Sequence, residues 1–286
     1  MKLTYQDKTK EDWFLVSWTL SNKCNYRCSY CPDHLHSGST GQPRWDTVER
    51  FVKGFKQPKK NICYRLSGGE PTYWKHFTDL AKLVKQQGHT FTFLTNGSHT
   101  VEYYKTISEF SDGYIISYHP EYADINHIML APDNFEQMFN VAEALYNCSD
   151  NVAIWPKIIL DKSNIDAITN TPYNYSQEQL DTIKKWPFFR PLPDSNLHRG
   201  GLLLDDKPVT ANDLISTDRN KFQGWKCWAG LHMINIDMWG NMYRADCQEG
   251  GPLGNIERYK LPKETIICGK QSCACLSDIY LRKETA

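Results

Sequence analysis

The chain has 286 residues, 40% hydrophobic and 23% charged, enough to bury a sizeable core. Its 33 basic residues balance its 33 acidic ones, so no global field draws it to nucleic acid or to an anionic membrane. No apolar run approaches the roughly 20 residues that span a bilayer, and the polar start MKLTYQDKTKEDW lacks the core of a secretory signal, so a cytoplasmic protein with no membrane partner is expected.

Hydrophobic periodicity gives an alternating series. Residues 14–20 read as a strand, and 46–55 as a helix with Val48, Phe51, Val52 and Phe55 on one face. Residues 62–66 make a second strand ending in Ser67-Gly68-Gly69, and 74–87 a helix stopped by Gly88. A third strand over 90–94 runs into Thr95-Asn96-Gly97, followed by a helix over 101–110 and a fourth strand over 113–118. A helix over 134–146, a strand over 152–160, a helix over 176–185 and a short sixth strand over 201–204 complete the series. Strands alternating with helices imply a parallel sheet with right-handed crossovers. The expected fold class is therefore α/β, a partial (β/α)6 TIM-like barrel whose chemistry gathers where strands end. Cys24, Gly68, Asn96 and His119 each follow a predicted strand. Beyond residue 221 the pattern changes: 234–238 and 241–244 flank Trp239-Gly240 and read as a β-hairpin. The expected division is a barrel core over 13–205 and a small C-terminal cysteine-rich hairpin module over 222–280.

Ten cysteines without an export signal argue for metal or redox chemistry rather than a disulfide framework. Cys24, Cys28 and Cys31 have the spacing C-x3-C-x2-C on the loop after the first strand. Thiolates are soft ligands suited to iron–sulfur clusters. Three of them leave one iron of a [4Fe-4S] cube without a protein ligand, open to chelation by another molecule. Zinc is the alternative, with His34 or His36 as the fourth ligand.

These cysteines, with Tyr30 just before the last, resemble the signature of the radical S-adenosylmethionine (SAM) superfamily. Ser67-Gly68-Gly69-Glu70-Pro71 looks like that family's GGE motif, and Thr95-Asn96-Gly97 resembles its post-strand TNG segment. Ile116-Ser117-Tyr118-His119-Pro120 resembles the family's fourth-strand segment, with His119 in place of the usual acidic residue. The resemblance covers roughly residues 13–205. It implies a [4Fe-4S] cluster on Cys24, Cys28 and Cys31, with SAM on the open iron. Tyr30, Gly68, Gly69, Glu70, Pro71, Asn96, Ser117 and Lys157 would contact the cofactor, and His119 would face substrate. An electron from a donor such as flavodoxin or ferredoxin would cleave SAM to methionine and a 5′-deoxyadenosyl radical, which takes a hydrogen atom from a substrate carbon. No general acid or base stands out.

Cys227, Cys247, Cys268, Cys273 and Cys275 form a second group around the hairpin. A structural zinc site, packing thiols and an auxiliary iron–sulfur cluster all accommodate them. Their layout resembles the C-terminal extensions called SPASM and twitch domains, as does Gly251-Pro252-Leu253-Gly254-Asn255-Ile256. The interval from Gly240 to Cys247 is longer than in the usual SPASM pattern. Five cysteines are too few for two fully ligated clusters, which need about seven or eight. The resemblance therefore implies a twitch-like module with one auxiliary [4Fe-4S] cluster, saturated by four cysteines; the sequence does not identify the fifth. The expected reaction is oxidation, cross-linking or epimerisation of a peptide or small natural-product intermediate. The alternative is radical modification of a nucleotide, nucleic acid or cofactor precursor. Cys63 and Cys148 read as buried thiols, and Trp225, Trp228 and Trp239 as packing around the second group.

Overall fold

The structure, a computed structural model of the chain, describes residues 1–28, 31–118, 153–158, 201–273 and 275–286. Its strands are β1 (Lys2–Tyr5), β2 (Trp13–Thr19), β3 (Asn61–Ser67), β4 (Thr90–Thr95), β5 (Gly113–Tyr118), β6 (Ala153–Ile158), β7 (Leu202–Leu204) and β8 (Lys207–Val209). They continue with β9 (Trp225–Cys227), β10 (Met233–Ile236), β11 (Asn241–Tyr243), β12 (Pro252–Asn255), β13 (Arg258–Tyr259), β14 (Ile266–Ile267) and β15 (Lys283–Thr285). The helices are α1 (Trp45–Gly54), α2 (Phe77–Gln86), α3 (Val101–Ser108), α4 (Ala211–Ser216) and α5 (Leu276–Ile279).

Strand β2 is apolar on both faces, which suits a parallel strand covered on both sides. Phe14, Val16 and Trp18 pack outward with Val48, Phe51 and Val52 of α1 and with Phe77, Leu80 and Val84 of α2. Leu15 turns inward and packs with Cys63 and Met233. Burying each large apolar side chain contributes roughly 1.5–3 kcal/mol, so this two-faced packing fixes the register of the central strands. Strands β10, β2, β3, β4, β5 and β6 run parallel in that order, and β11, β12 and β13 extend the sheet antiparallel beyond β10. The result is the expected α/β class with a partial TIM-like arrangement.

The second sheet, β14-β9-β15-β1-β7-β8, is antiparallel throughout. It joins the two ends of the described chain, since β1 pairs with β15. Residues of the 222–280 stretch divide between the two sheets, and Leu15, Cys63 and Met233 of the first pack against Cys227, Ala229 and Leu281 beside the second.

Two elements differ from the sequence expectation. The strand near 201–204 exists as β7, but it pairs with β1 rather than adding a sixth barrel strand. Leu3, Tyr5 and Leu202 share one small core, and that burial decides the pairing. The open side of β2 is taken instead by β10, the first strand of the hairpin. The helix expected over 74–87 begins only at Phe77, after a 3-10 turn at Pro71–Tyr73, because Trp74 is extended and buried. The expected helices over 134–146 and 176–185 lie outside the described residues, as do Tyr30, His119 and Cys148. Among the described residues, no helix is long and apolar enough to cross a membrane.

Candidate active site

The chain leaves β2 into a loop whose shape is set by one buried amide. Asn22 Nδ2 donates to the His34 carbonyl (2.9 Å), Ser37 Oγ (3.0 Å) and Ser39 Oγ (3.1 Å). Its Oδ1 accepts from Thr40 N (3.1 Å) and Thr40 Oγ1 (2.7 Å). Asn22 thus closes the loop that carries Cys24, Cys28 and Cys31. Inside it, Cys31 N donates to the Cys28 carbonyl at 3.0 Å, and Arg27 Nη1 donates to the His36 carbonyl. His36 Nε2 donates to the Cys31 carbonyl at 3.0 Å; a carbonyl only accepts, which fixes the donor. No sequence pattern marks Asn22, because a polar residue before a cysteine loop is ordinary.

The glycines of Ser67-Gly68-Gly69 let the end of β3 lie directly on this loop. Gly68 has φ +147°, and a Cβ there would sit 2.4 Å from the Ser21 carbonyl oxygen. A Cβ on Gly69 would meet the Lys23 carbonyl oxygen at 2.4 Å and Cys24 Cβ at 2.9 Å. Gly69 N donates to the Ser21 carbonyl (3.0 Å) and Glu70 N to that of Lys23 (2.9 Å), so the approach is hydrogen-bonded.

Glu70 is fully buried and turned into the ends of β3 and β4. Its Oε1 accepts from Thr72 N (3.2 Å), Thr72 Oγ1 (2.6 Å) and Thr95 Oγ1 (2.9 Å), and its Oε2 from Asn96 N (2.6 Å). Burial pushes its carboxyl above the usual range, opposed by these hydrogen bonds. Pro71, also buried, opens the 3-10 turn that delivers the Thr72 donors. Asn96 Nδ2 donates to Asn25 Oδ1 (2.8 Å), and Asn25 Nδ2 donates to Ser98 Oγ (3.0 Å), tying the post-β4 loop to the cysteine loop.

These elements enclose a cavity of about 190 Å³ lined by Cys24, Cys28, Cys31, Gly68, Gly69, Asn96 and Ser117, among others. Glu70 and Pro71 are not in its wall. Ser117 on β5 is in register with Lys157 on β6, which sets Lys157 on the strand flanking the site. Burial raises the Cys24 thiol to about 11, with nearby Glu70, Cys28 and Cys31 acting in the same direction and the Tyr26 N–H opposing. Burial and the Asp33 carboxylate raise Cys31 as well.

The five C-terminal cysteines come together around another cavity, of about 210 Å³. Two buried charged residues that the sequence did not single out stand in its wall. Asp278 accepts from Asp246 N (3.0 Å) and Cys247 N (2.7 Å). Lys283, buried to 1% exposure, donates from Nζ to the carbonyls of Asp278, Ile279 (3.2 Å) and Leu281 (3.0 Å). All three donors of the ammonium are therefore used. Burial raises the Cys273 thiol to about 12, with Lys283 opposing, and burial also raises Cys227, Cys247 and Cys275. Arg65 Nη2 links the two regions by donating to Ser17 Oγ (3.1 Å) on β2 and to Ser277 Oγ beside Asp278. Asn235 on β10 adds a second tie, donating to Asp246 Oδ1 at 2.7 Å. Among the described residues, no three His, Cys, Asp or Glu side chains are placed to hold a single metal ion.

Residues 18–150 match the family model of the radical SAM superfamily. The chain is 22% identical over 152 residues to a GTP 3′,8-cyclase of Pectobacterium atrosepticum, covering 50% of this chain and 45% of the relative. It is 35% identical over 77 residues to an S-adenosylmethionine-dependent nucleotide dehydratase of a Thermoplasmatales archaeon, covering 27% and 26%. It therefore spans about half, or less, of the length of these curated relatives. The structure of native anSMEcpe with bound AdoMet and Kp18Cys peptide aligns with a TM-score of 0.47 at 17% identity, covering 85% of this chain and 77% of that one. That of Streptococcus suis SuiB bound to precursor peptide SuiA aligns with a TM-score of 0.42 at 10% identity, covering 88% and 65%. The matched stretch, with the three-cysteine loop inside it, is a radical SAM domain.

Proposed function

We propose that this chain reductively cleaves SAM at the Cys24–Cys28–Cys31 site and uses the 5′-deoxyadenosyl radical to take a hydrogen atom from a substrate carbon. The observation that carries this reading is the shared cavity: three thiols on one loop face the Gly68–Gly69 backbone, Asn96 and Ser117 at the ends of three parallel strands. The donor set fits the cofactors that the family implies. Three soft thiols suit a cube with one open iron, and polar groups at strand ends suit the amino acid portion of SAM. When bound, the cluster supplies the electron that breaks the carbon–sulfur bond of SAM. The protein's own part is to hold the loop by Asn22 and to bring Gly68 and Gly69 against it.

The second site, in the 222–280 stretch, is read as an auxiliary [4Fe-4S] cluster. Zinc binds four ligands at about 2.0–2.3 Å from one point. Five thiols spread around a cavity of about 210 Å³ suit a larger group. With a full set of ligands it would move electrons or brace the fold, consistent with net oxidation or bond formation on the substrate.

The primary substrate reading is a peptide or small natural-product intermediate, with flavodoxin or ferredoxin as the type of electron donor. A nucleotide is the second reading, and the curated relatives are named for nucleotide chemistry. The test is anaerobic reconstitution, addition of reductant and SAM, and quantification of 5′-deoxyadenosine against Cys28→Ala. Product from wild type and none from the variant is expected. No product from wild-type protein with a full complement of iron, with or without peptide and nucleotide candidates, would contradict the reading. Deuterium transfer into 5′-deoxyadenosine from labelled candidates then separates the substrate classes.

A further inference from the structure

We propose that Cys227, Cys247, Cys268 and Cys273 ligate the second site and that Cys275 is its non-ligating thiol, an assignment that rests on reading this site as an auxiliary cluster. All five thiols line the cavity, but they are held differently. Cys227 lies in β9 between two neighbours, in register with Ile266 of β14 and Lys283 of β15. Cys268 continues that ladder, its N–H donating to the Trp225 carbonyl at 2.8 Å. Cys273 is clasped twice by Asn220, donating to its carbonyl (2.8 Å) and accepting from its Nδ2 (3.0 Å). Cys247 is fixed through its N–H to buried Asp278. Four positions are thus set by backbone hydrogen bonds before any metal arrives, which lowers the ordering cost of binding.

Cys275 is backbone-bonded too, its carbonyl accepting from the Asp278 and Ile279 N–H groups (3.0 Å each), but its side chain stands apart. It is the exposed member of the group and precedes α5 as an N-cap whose side chain makes no capping bond. Lys283, in register with Cys227 across β9 and β15, places a fixed cation in the cavity wall. A cube bound by the other four leaves Cys275 facing solvent.

Alkylation of the reconstituted full chain with iodoacetamide under anaerobic conditions, mapped by mass spectrometry, tests the assignment without a variant. Cys275 should be modified while Cys227, Cys247, Cys268 and Cys273 stay protected; protection of Cys275 with modification of any of those four would overturn it. In a chain carrying Cys24→Ala, Cys28→Ala and Cys31→Ala, the second site alone should retain about four irons. Adding Cys275→Ser should leave that iron in place, and adding Cys273→Ser should remove it. The reverse pattern overturns the ligand set but keeps the auxiliary cluster. No iron in the triple variant, with an unchanged circular dichroism spectrum, overturns the assignment and the cluster reading together.

Discussion

The two cysteine sites solve the problem of holding thiols in opposite ways. The first hangs on a loop, with three thiols and a wall made largely of backbone and strand ends. Its order comes from neighbours: one buried asparagine closes the loop, and two glycines let β3 press on it. The second is set among short antiparallel strands, with five thiols, a buried lysine and a buried aspartate. A three-thiol site supported from outside leaves room for an exchangeable ligand, whereas a four-thiol site built into a ladder does not. On the proposed reading, exchange and chemistry belong to the first site and fixed ligation to the second.

Glu70 tests the contrast most severely, because it supports the first site without lining it. Glu70→Ala would leave four buried donors without their acceptor, at about 1–3 kcal/mol for each one that finds no new partner. A total of at least about 3 kcal/mol is expected, seen as a fall in Tm on the order of 10 °C. An unchanged Tm with selectively weakened SAM binding, measured by equilibrium dialysis, would instead make Glu70 a direct cofactor contact. Gly69→Ala should have a smaller effect on stability, about 1–3 kcal/mol, since the new methyl group displaces the Lys23–Cys24 backbone. It should lower iron at the first site and spare the second. Equal loss at both sites would mean that the glycine supports the whole fold rather than the loop.

Much of this was legible in the sequence because the information was local. The spacing of Cys24, Cys28 and Cys31, the glycine pair after a strand, and the two-sided apolar pattern of β2 each follow from residues close in the chain. What was not legible depends on distant partners. β1 reads as a polar tetrapeptide, and only its pairing with β7 and β15 makes it a strand. Strand β10 looks like half of a self-contained hairpin, yet it completes the parallel sheet beside β2. Asn22 and Lys283 carry no motif; their importance lies in burial and in hydrogen bonds to groups that the fold brings near. Glu70 shows the converse, since its motif suggests a ligand contact while its four hydrogen bonds describe a strut.

The most direct measurement compares the sites by removing one at a time. 5′-Deoxyadenosine is quantified from reconstituted wild type, from Cys28→Ala, and from the variant carrying Cys227→Ser and Cys273→Ser, with iron determined in each. SAM cleavage should vanish with the first site and persist, at a reduced rate, when only the second has lost its metal. Cleavage that survives Cys28→Ala, or that requires the second site alone, would contradict the account.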